Sequence, residues 1–358
     1  MIPELPLGAA GCNVGAVSYF MRSALVAVIV FKIAASGCAD DGSLRMAMIG
    51  DLGLDSGQTI RNCRVGYRTW GTLDASKGNA ILVPTWFGST SEGLSSWIGN
   101  GKLYDTSRYY VIAVDALGDG VSSSPSNSSD QPGTAFPRFT VRDMVRSQHE
   151  LVTRMLHLDH LYAVSGISMG GMQTFQWVVS YPEFLAKAVP ILGTPRQTAY
   201  DLLLWKTELD LIDSLRDNPR QEAAVLKAVA GIQALELRTP AWIAGHVTRD
   251  SLAAFQHDEE TAVGRLDLRD YASQLRAMID HDIYRDAGSP ELAARAIKAW
   301  MLVVVSDQDH MVNPAPAVQL ARLTRSEILT LTGDCGHLAP GCEQAKLLRE
   351  ASRFLAEK

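Results

Sequence analysis

The chain has few cysteines, no surplus of basic residues, no internal repeat and only one long apolar run. Each absence removes a class of protein. Thirty-three basic against 39 acidic residues leave a net charge of −6, so the basic stripe of a nucleic-acid binder is missing. A lone apolar run near the N-terminus does not make a polytopic membrane protein, and the lack of a repeat excludes collagen, coiled coils and solenoids. Five cysteines in 358 residues, with no Cys-x-x-Cys pair and no His-x-x-x-His spacing, give no frame for structural zinc. What is present, 47% hydrophobic and 20% charged residues, suits a globular enzyme or binding protein. The length allows one large α/β domain with a full core.

Residues 1–39 read as an N-terminal extension and signal segment. From Met21 the text runs Met21-Arg22-Ser23, then apolar from Ala24 to Phe31, then Lys32 and the small residues Ala35-Ser36-Gly37-Cys38-Ala39. A positive start, a short apolar stretch and small residues before a cut site are the marks of export. The run is too short to span a bilayer comfortably. A periplasmic or secreted protein is therefore expected, with a cytoplasmic one carrying a buried N-terminal helix as the alternative. Cys38 also fits the lipidated cysteine of a bacterial lipoprotein, although Ala35 stands where leucine is usual. Such an anchor would be the expected tie to a membrane. Cleavage would remove Cys12, and Cys335 and Cys342 are close enough in sequence to bridge in an oxidising compartment. Two free thiols fit the text equally, since spacing does not fix their Cα separation.

After Ala39 the segment to Trp70 suits a strand pair. Continuous apolar runs follow at Ala80–Pro84, Tyr109–Asp115, Leu161–Ser165, Lys187–Leu192, Met301–Val305 and Ile328–Leu331, with helical stretches such as Val141 to Leu156 between them. Runs without alternation belong to parallel strands covered on both faces. Most end in a Gly, Asp or Ser turn, where open α/β sheets place their ligands. Over residues 198–298 the strand pattern stops and the apolar spacing turns helical, as in Leu202, Trp205, Leu209 and Ile212. The order implies a core over 40–197, a helical insertion over 198–298 and the rest of the core over 299–358.

The strongest local signal is Gly166-Ile167-Ser168-Met169-Gly170, a Gly-x-Ser-x-Gly directly after a strand and before a helical stretch. A nucleophilic serine needs that setting, because a tight turn exposes its hydroxyl and the flanking glycines let backbone pack closely. The helix start then faces the negative charge that develops on reaction. A serine hydroxyl also needs a base held by a carboxylate. Of eight histidines, His157 and His160 read as surface residues, and His149 as helical. His246, His257 and His281 fall in the insertion, while His310 comes too early in the chain. His337, in the loop after the last strand, is the expected base. Its carboxylate should follow the preceding strand, where Asp309 is preferred and Asp307 is the alternative. The oxyanion donors are expected to be the backbone N–H of Met169 and of Trp86, with Phe87 as the alternative to Trp86.

The order Ser168, Asp309, His337 is that of an α/β-hydrolase, and several blocks point to one branch. Tyr67–Leu73, Phe139–Val145, Gly170-Gly171-Met172-Gln173, Leu275–Met278 with His281-Asp282, and Gly336-His337 resemble the homoserine O-acetyltransferase family of α/β-hydrolases, from about residue 44 to the C-terminus. The resemblance implies an α/β-hydrolase fold, Ser168 as nucleophile with Asp309 and His337, a helical lid over a deep tunnel, and often a homodimer. It implies no cofactor and no metal.

Departures bear on substrate. The transferases carry Gly-Ser-Thr-Gly-Pro after the fourth strand, where this chain has Gly120-Val121-Ser122-Ser123-Ser124-Pro125. Their lid arginine, which pairs with an amino-acid carboxylate, has no counterpart in Gln197–Trp205, although Arg196 directly precedes that segment. A buried carboxylate without its cation would cost several kcal/mol. Their His-Ala-Leu-Thr-Gly oxyanion loop reads Pro84-Thr85-Trp86-Phe87-Gly88 here, which looks like the esterase members. The expected function is a serine carboxylesterase acting on short-chain acyl esters through an acyl-enzyme on Ser168. The alternatives are homoserine or related O-acyl transfer from acetyl-CoA, and a non-catalytic binding protein on the same fold.

Overall fold

The computed structural model describes residues 40–216 and 219–357. The expected signal segment, Cys12 and the lipid-anchor position Cys38 lie outside the described residues. Among the described residues, no helix is long and apolar enough to cross a membrane.

One mixed sheet organises the chain. Its strands are β1 (Asp40–Asp41), β2 (Arg45–Gly53), β3 (Thr59–Gly71), β4 (Ala80–Pro84), β5 (Tyr110–Val114), β6 (Leu161–Ile167), β7 (Leu185–Ile191), β8 (Trp300–Ser306) and β9 (Glu327–Leu331). The spatial order is β1-β3-β5-β4-β6-β7-β8-β9, with β2 paired to β3. β3 runs antiparallel to β1, β2 and β5, while every pair from β5 through β4 to β9 is parallel. Every residue of β4 and β5 is buried. Unbroken apolar runs tolerate that because helices cover both faces of a parallel sheet.

On one face lie α1 (Val141–Glu150) and α2 (Met169–Ser180), whose Met144, Val145, Met172 and Phe175 enter the larger core. A capping box starts α1, with the Thr140 side chain and Asp143 satisfying each other's backbone N–H groups. The α-helix stops at Glu150 and the expected run to Leu156 continues as a π-type turn over Leu151–Met155. Between β7 and β8 come α3 (Ala199–Asp213), α4 (Glu222–Leu237), α5 (Pro240–His246), α6 (Leu252–Val263), α7 (Leu268–Ile279) and α8 (Pro290–Ala296). α9 (Ala315–Thr324) links β8 to β9, and α10 (Ala339–Cys342) precedes α11 (Gln344–Ala356). α11 buries Leu347, Ala351, Phe354 and Leu355 in the core on the opposite face. That i, i+4, i+7, i+8 spacing is one helical stripe.

The turn from β6 into α2 is where the sheet meets the chemistry. Ser168 sits at φ 58°, ψ −120°, a conformation that costs a non-glycine residue about 1–3 kcal/mol. Its backbone N–H donates to Ile191 O at 2.8 Å, which ties the turn to β7. The two motif glycines are required by contact. A Cβ on Gly166 would lie 2.5 Å from Gly170 C, and one on Gly170 would lie 2.6 Å from Pro84 O.

Gly170→Ala is therefore expected to lower stability by roughly 1–3 kcal/mol through overpacking. A guanidinium chloride titration should show a reduced midpoint at unchanged slope, and an unshifted midpoint would contradict this packing.

Candidate active site

Three loops at the C-terminal ends of parallel strands bring the expected residues together. Ser168 follows β6, Asp309 follows β8 and His337 follows β9 in a short 3₁₀ turn over Gly336–Leu338. His337 Nε2 lies 2.8 Å from Ser168 Oγ, and His337 Nδ1 lies 2.7 Å from Asp309 Oδ2. A carboxylate only accepts, so Nδ1 carries the proton and Nε2 is left to accept from the serine hydroxyl. Asp309 is itself fixed, since its Oδ1 accepts from the backbone N–H of Met311 and of Val312, both at 2.9 Å. Asp307, the alternative carboxylate, is exposed and does not meet the imidazole; its backbone N–H donates to Leu331 O at 3.1 Å. Ser168 and His337 are both buried, at 5% and 6% exposure.

The loop after β4 is held at both of its ends. Thr85 N–H donates to Val114 O, the Thr85 hydroxyl accepts from Ala116 N–H, and Thr85 O accepts from Gln173 Nε2 at 3.0 Å. Gly88 N–H donates to Gln274 Oε1 at 3.0 Å, and Gln274 Nε2 donates on to Leu117 O at 3.1 Å. Between these fixed points, the backbone N–H groups of Trp86 and Phe87 have no acceptor among the described residues, and neither has that of Met169. Donors left free beside a nucleophile suit an oxyanion. Gln173 and Gln274 were not singled out from the text. Gln173 lay within a quoted motif, whereas Gln274 is 186 residues from its partner and leaves no local trace.

A cavity of about 610 Å³ opens over Ser168 and His337. Trp86, Phe87, Gly88, Trp97, Ile167 and Met311 wall it from the core side, and Gln233 and Leu237 of α4 and Ala262 and Val263 of α6 from the insertion. Leu266, Leu338, Pro340, Gly341 and Cys342 complete the wall, so no Asp, Glu, Lys or Arg among the described residues lines it. Phe87 packs on Tyr271 with ring centroids 4.3 Å apart, and the Tyr271 hydroxyl donates to Glu208 at 2.6 Å. Burial pushes Glu208 up to about 7, against the opposing effect of that hydrogen bond. Burial, and then the charges of Glu208 and Asp309, push Glu236 well above the carboxylate range. Burial thus shifts both carboxyls toward their neutral forms. Among the described residues, no group of three His, Cys, Asp or Glu side chains is arranged to hold a metal.

The remaining histidines lie elsewhere. His157, His246 and His257 are exposed, and His149 stacks on Tyr181 with centroids 3.9 Å apart. His281 is buried after α7, its Nε2 without a partner among the described residues. Burial lowers its pKa from 6.5 to about 3, with a backbone hydrogen bond at Thr194 opposing. The folded chain thus holds His281 neutral while the unfolded chain protonates it, so its contribution to stability is full above pH 6.5 and is lost as pH falls toward 3. The slope is about 1.4 kcal/mol per pH unit within that window. Relative to the parent, His281→Gln is expected to lose stability less steeply between pH 6.5 and pH 4 in denaturant titrations; parallel curves would contradict this.

The geometry has counterparts among known proteins. Residues 81–218 match the model of the α/β-hydrolase fold. Ethyl acetate hydrolase of Pseudomonas veronii is 36% identical over 204 residues, 56% of this chain and 58% of that protein. The chain thus spans little more than half the length of this curated relative. Homoserine O-acetyltransferase of Chlorobaculum tepidum is 29% identical over 313 residues, 80% of this chain and 87% of that protein. The solved acetyl esterase MekB superposes with a TM-score of 0.82 at 28% identity, covering 88% of this chain and 96% of its own. Together with the Ser168 turn on a mostly parallel sheet, these matches show an α/β-hydrolase fold similar to that of the homoserine O-acetyltransferase-like proteins and their acetyl esterase relatives.

Proposed function

We propose that the protein is a serine carboxylesterase that cleaves short-chain acyl esters of uncharged alcohols. The observation that carries this reading is the cavity over Ser168, which no Asp, Glu, Lys or Arg among the described residues lines. Homoserine is a zwitterion and coenzyme A carries phosphates, so each needs cations or carboxylates that this wall lacks; desolvating such groups unpaired costs several kcal/mol. Arg196, the one arginine beside the segment where the transferases carry theirs, is absent from the cavity wall. Its guanidinium stacks over Tyr284 at 5.1 Å and lies 3.9 Å from Asp282. The likeness to an ethyl acetate hydrolase supports the same substrate class.

In this reading Ser168 Oγ attacks the ester carbonyl while His337 Nε2 takes the hydroxyl proton and Asp309 holds the imidazolium. The tetrahedral oxyanion accepts from the N–H groups of Met169 and Trp86. Collapse breaks the C–O bond to the alcohol, and His337 returns the proton to the departing oxygen. A water molecule then attacks the acyl-enzyme, with His337 as base, and the acid leaves with Ser168 restored. The helices of the insertion that wall the cavity, α4 and α6, act as a lid that excludes bulk water from this sequence. The Cys335–Cys342 disulfide fits an oxidising compartment, which supports the export read from residues 21–39 and separates the protein from cytosolic acetyl-CoA.

4-Nitrophenyl acetate is expected to be hydrolysed, with activity falling as the acyl chain outgrows the cavity. Ser168→Ala should lower kcat by about 10⁴-fold or more while leaving the fold intact, and His337→Ala by nearly as much. Acetyl-CoA with homoserine should yield no O-acetylhomoserine beyond background; its rapid formation in product analysis would replace this reading with acyl transfer.

A further inference from the structure

His337 sits inside a covalent ring. Cys335 and Cys342 are disulfide-bonded with Cα atoms 6.6 Å apart, seven residues apart in sequence. The segment they close carries the base, and His337, Leu338, Pro340, Gly341 and Cys342 all line the cavity. One small ring thus places the imidazole and forms part of the pocket wall.

Within the ring a 3₁₀ turn and α10 bury Gly336, His337, Ala339 and Pro340, and further hydrogen bonds hold its edges. Gly333 N–H donates to Glu343 Oε1 at 2.8 Å just beyond the two cysteines, and the Thr239 hydroxyl donates to Asp334 O. Gly336 takes φ +63°, and a Cβ there would lie 3.2 Å from Leu237 O at the end of α4. The imidazole's own anchor is Asp309 Oδ2, across the loop after β8. A segment with two glycines and no strand pairing has many conformations, and a cross-link removes most of them. Cys335 is buried, whereas Cys342 is exposed and faces the cavity, so a reductant can reach the bond from the Cys342 side.

We propose that the Cys335–Cys342 disulfide is a positioning device for His337, which it holds within reach of Ser168 so that opening the ring slows turnover reversibly. Opening is a two-electron exchange with a dithiol. One thiolate attacks a ring sulfur and breaks the S–S bond, and the dithiol's second thiol resolves the mixed disulfide; the protein gains two thiols and the reagent leaves as its cyclic disulfide. A base displaced by about 1 Å can cost 10²-fold in rate. The inference rests on the esterase reading, and its test separates the two.

The full chain is assayed oxidised, after dithiothreitol, and after reoxidation, with alkylation and peptide mass spectrometry reporting the state of residues 335–342. The readouts are steady-state hydrolysis of 4-nitrophenyl acetate and the rate at which a fluorophosphonate labels Ser168. Reduction is expected to lower kcat and the labelling rate about tenfold, with KM changed less than about threefold. Reoxidation should restore both, and Cys335→Ser/Cys342→Ser should stay at the reduced level and ignore dithiothreitol. Circular dichroism distinguishes this from unfolding, and should the variant not fold, the reduced parent alone decides. Verified reduction with kcat and labelling unchanged overturns the proposal, as does a folded double-serine variant with full turnover. If the oxidised parent hydrolyses no ester, the esterase reading fails, while the labelling rate still reads the ring.

Discussion

The structure turns on a close backbone approach that only glycine permits. Gly170 lies where a Cβ would be 2.6 Å from Pro84 O, so the start of α2 and the end of β4 are as near as two chains can come. That approach sets the Ser168 turn and the loop after β4 side by side. Beside it Ser168 sits at φ 58°, held by the hydrogen bond from its N–H to Ile191 O and by the buried helix that follows. The sheet acts as a jig whose precision comes from covalent geometry, with side chains added to its edge.

From that edge the chemistry is assembled by satisfaction of polar groups. Asp309 spends one oxygen on two backbone N–H groups, which leaves the other aimed at His337. Gln173 and Gln274 take up the hydrogen-bonding capacity of Thr85 and Gly88, so what remains free in the loop between them is what a substrate can use. Because Gln274 belongs to α7, the insertion not only roofs the cavity but pins the Gly88 end of the loop after β4. Burial of Glu208 and Glu236 raises their pKa values, and no ionic side chain among the described residues lines the cavity beneath.

Much of this was legible in the text. The strands of the parallel sheet read out as uninterrupted apolar runs because both of their faces are covered, and the Gly-x-Ser-x-Gly segment read out because its glycines answer a local steric demand. Asp309 and His337 follow from chain order and loop position, and the structure sets His337 against Ser168 and Asp309 against His337 while leaving Asp307 exposed. The spacing of Cys335 and Cys342 left bridge and free thiols equally open, since Cα separation depends on how the turn and α10 fold. Gln274 was illegible for a similar reason: its partner Gly88 is 186 residues away, and an amide in an amphipathic helix looks like any solvated residue. The burial of Glu208 and Glu236 was equally hidden, because glutamates in helical text read as solvated.

The central claim is that a covalent acyl group passes through Ser168. It is tested most directly by mixing the protein with an acetate ester, quenching in acid within the first turnovers, and mapping the peptides by mass spectrometry. An acetyl group on the peptide containing Ser168, appearing before steady state and decaying as substrate is exhausted, is the result predicted. Ester turnover with no adduct on that peptide, or with the acetyl group on another residue, would contradict it.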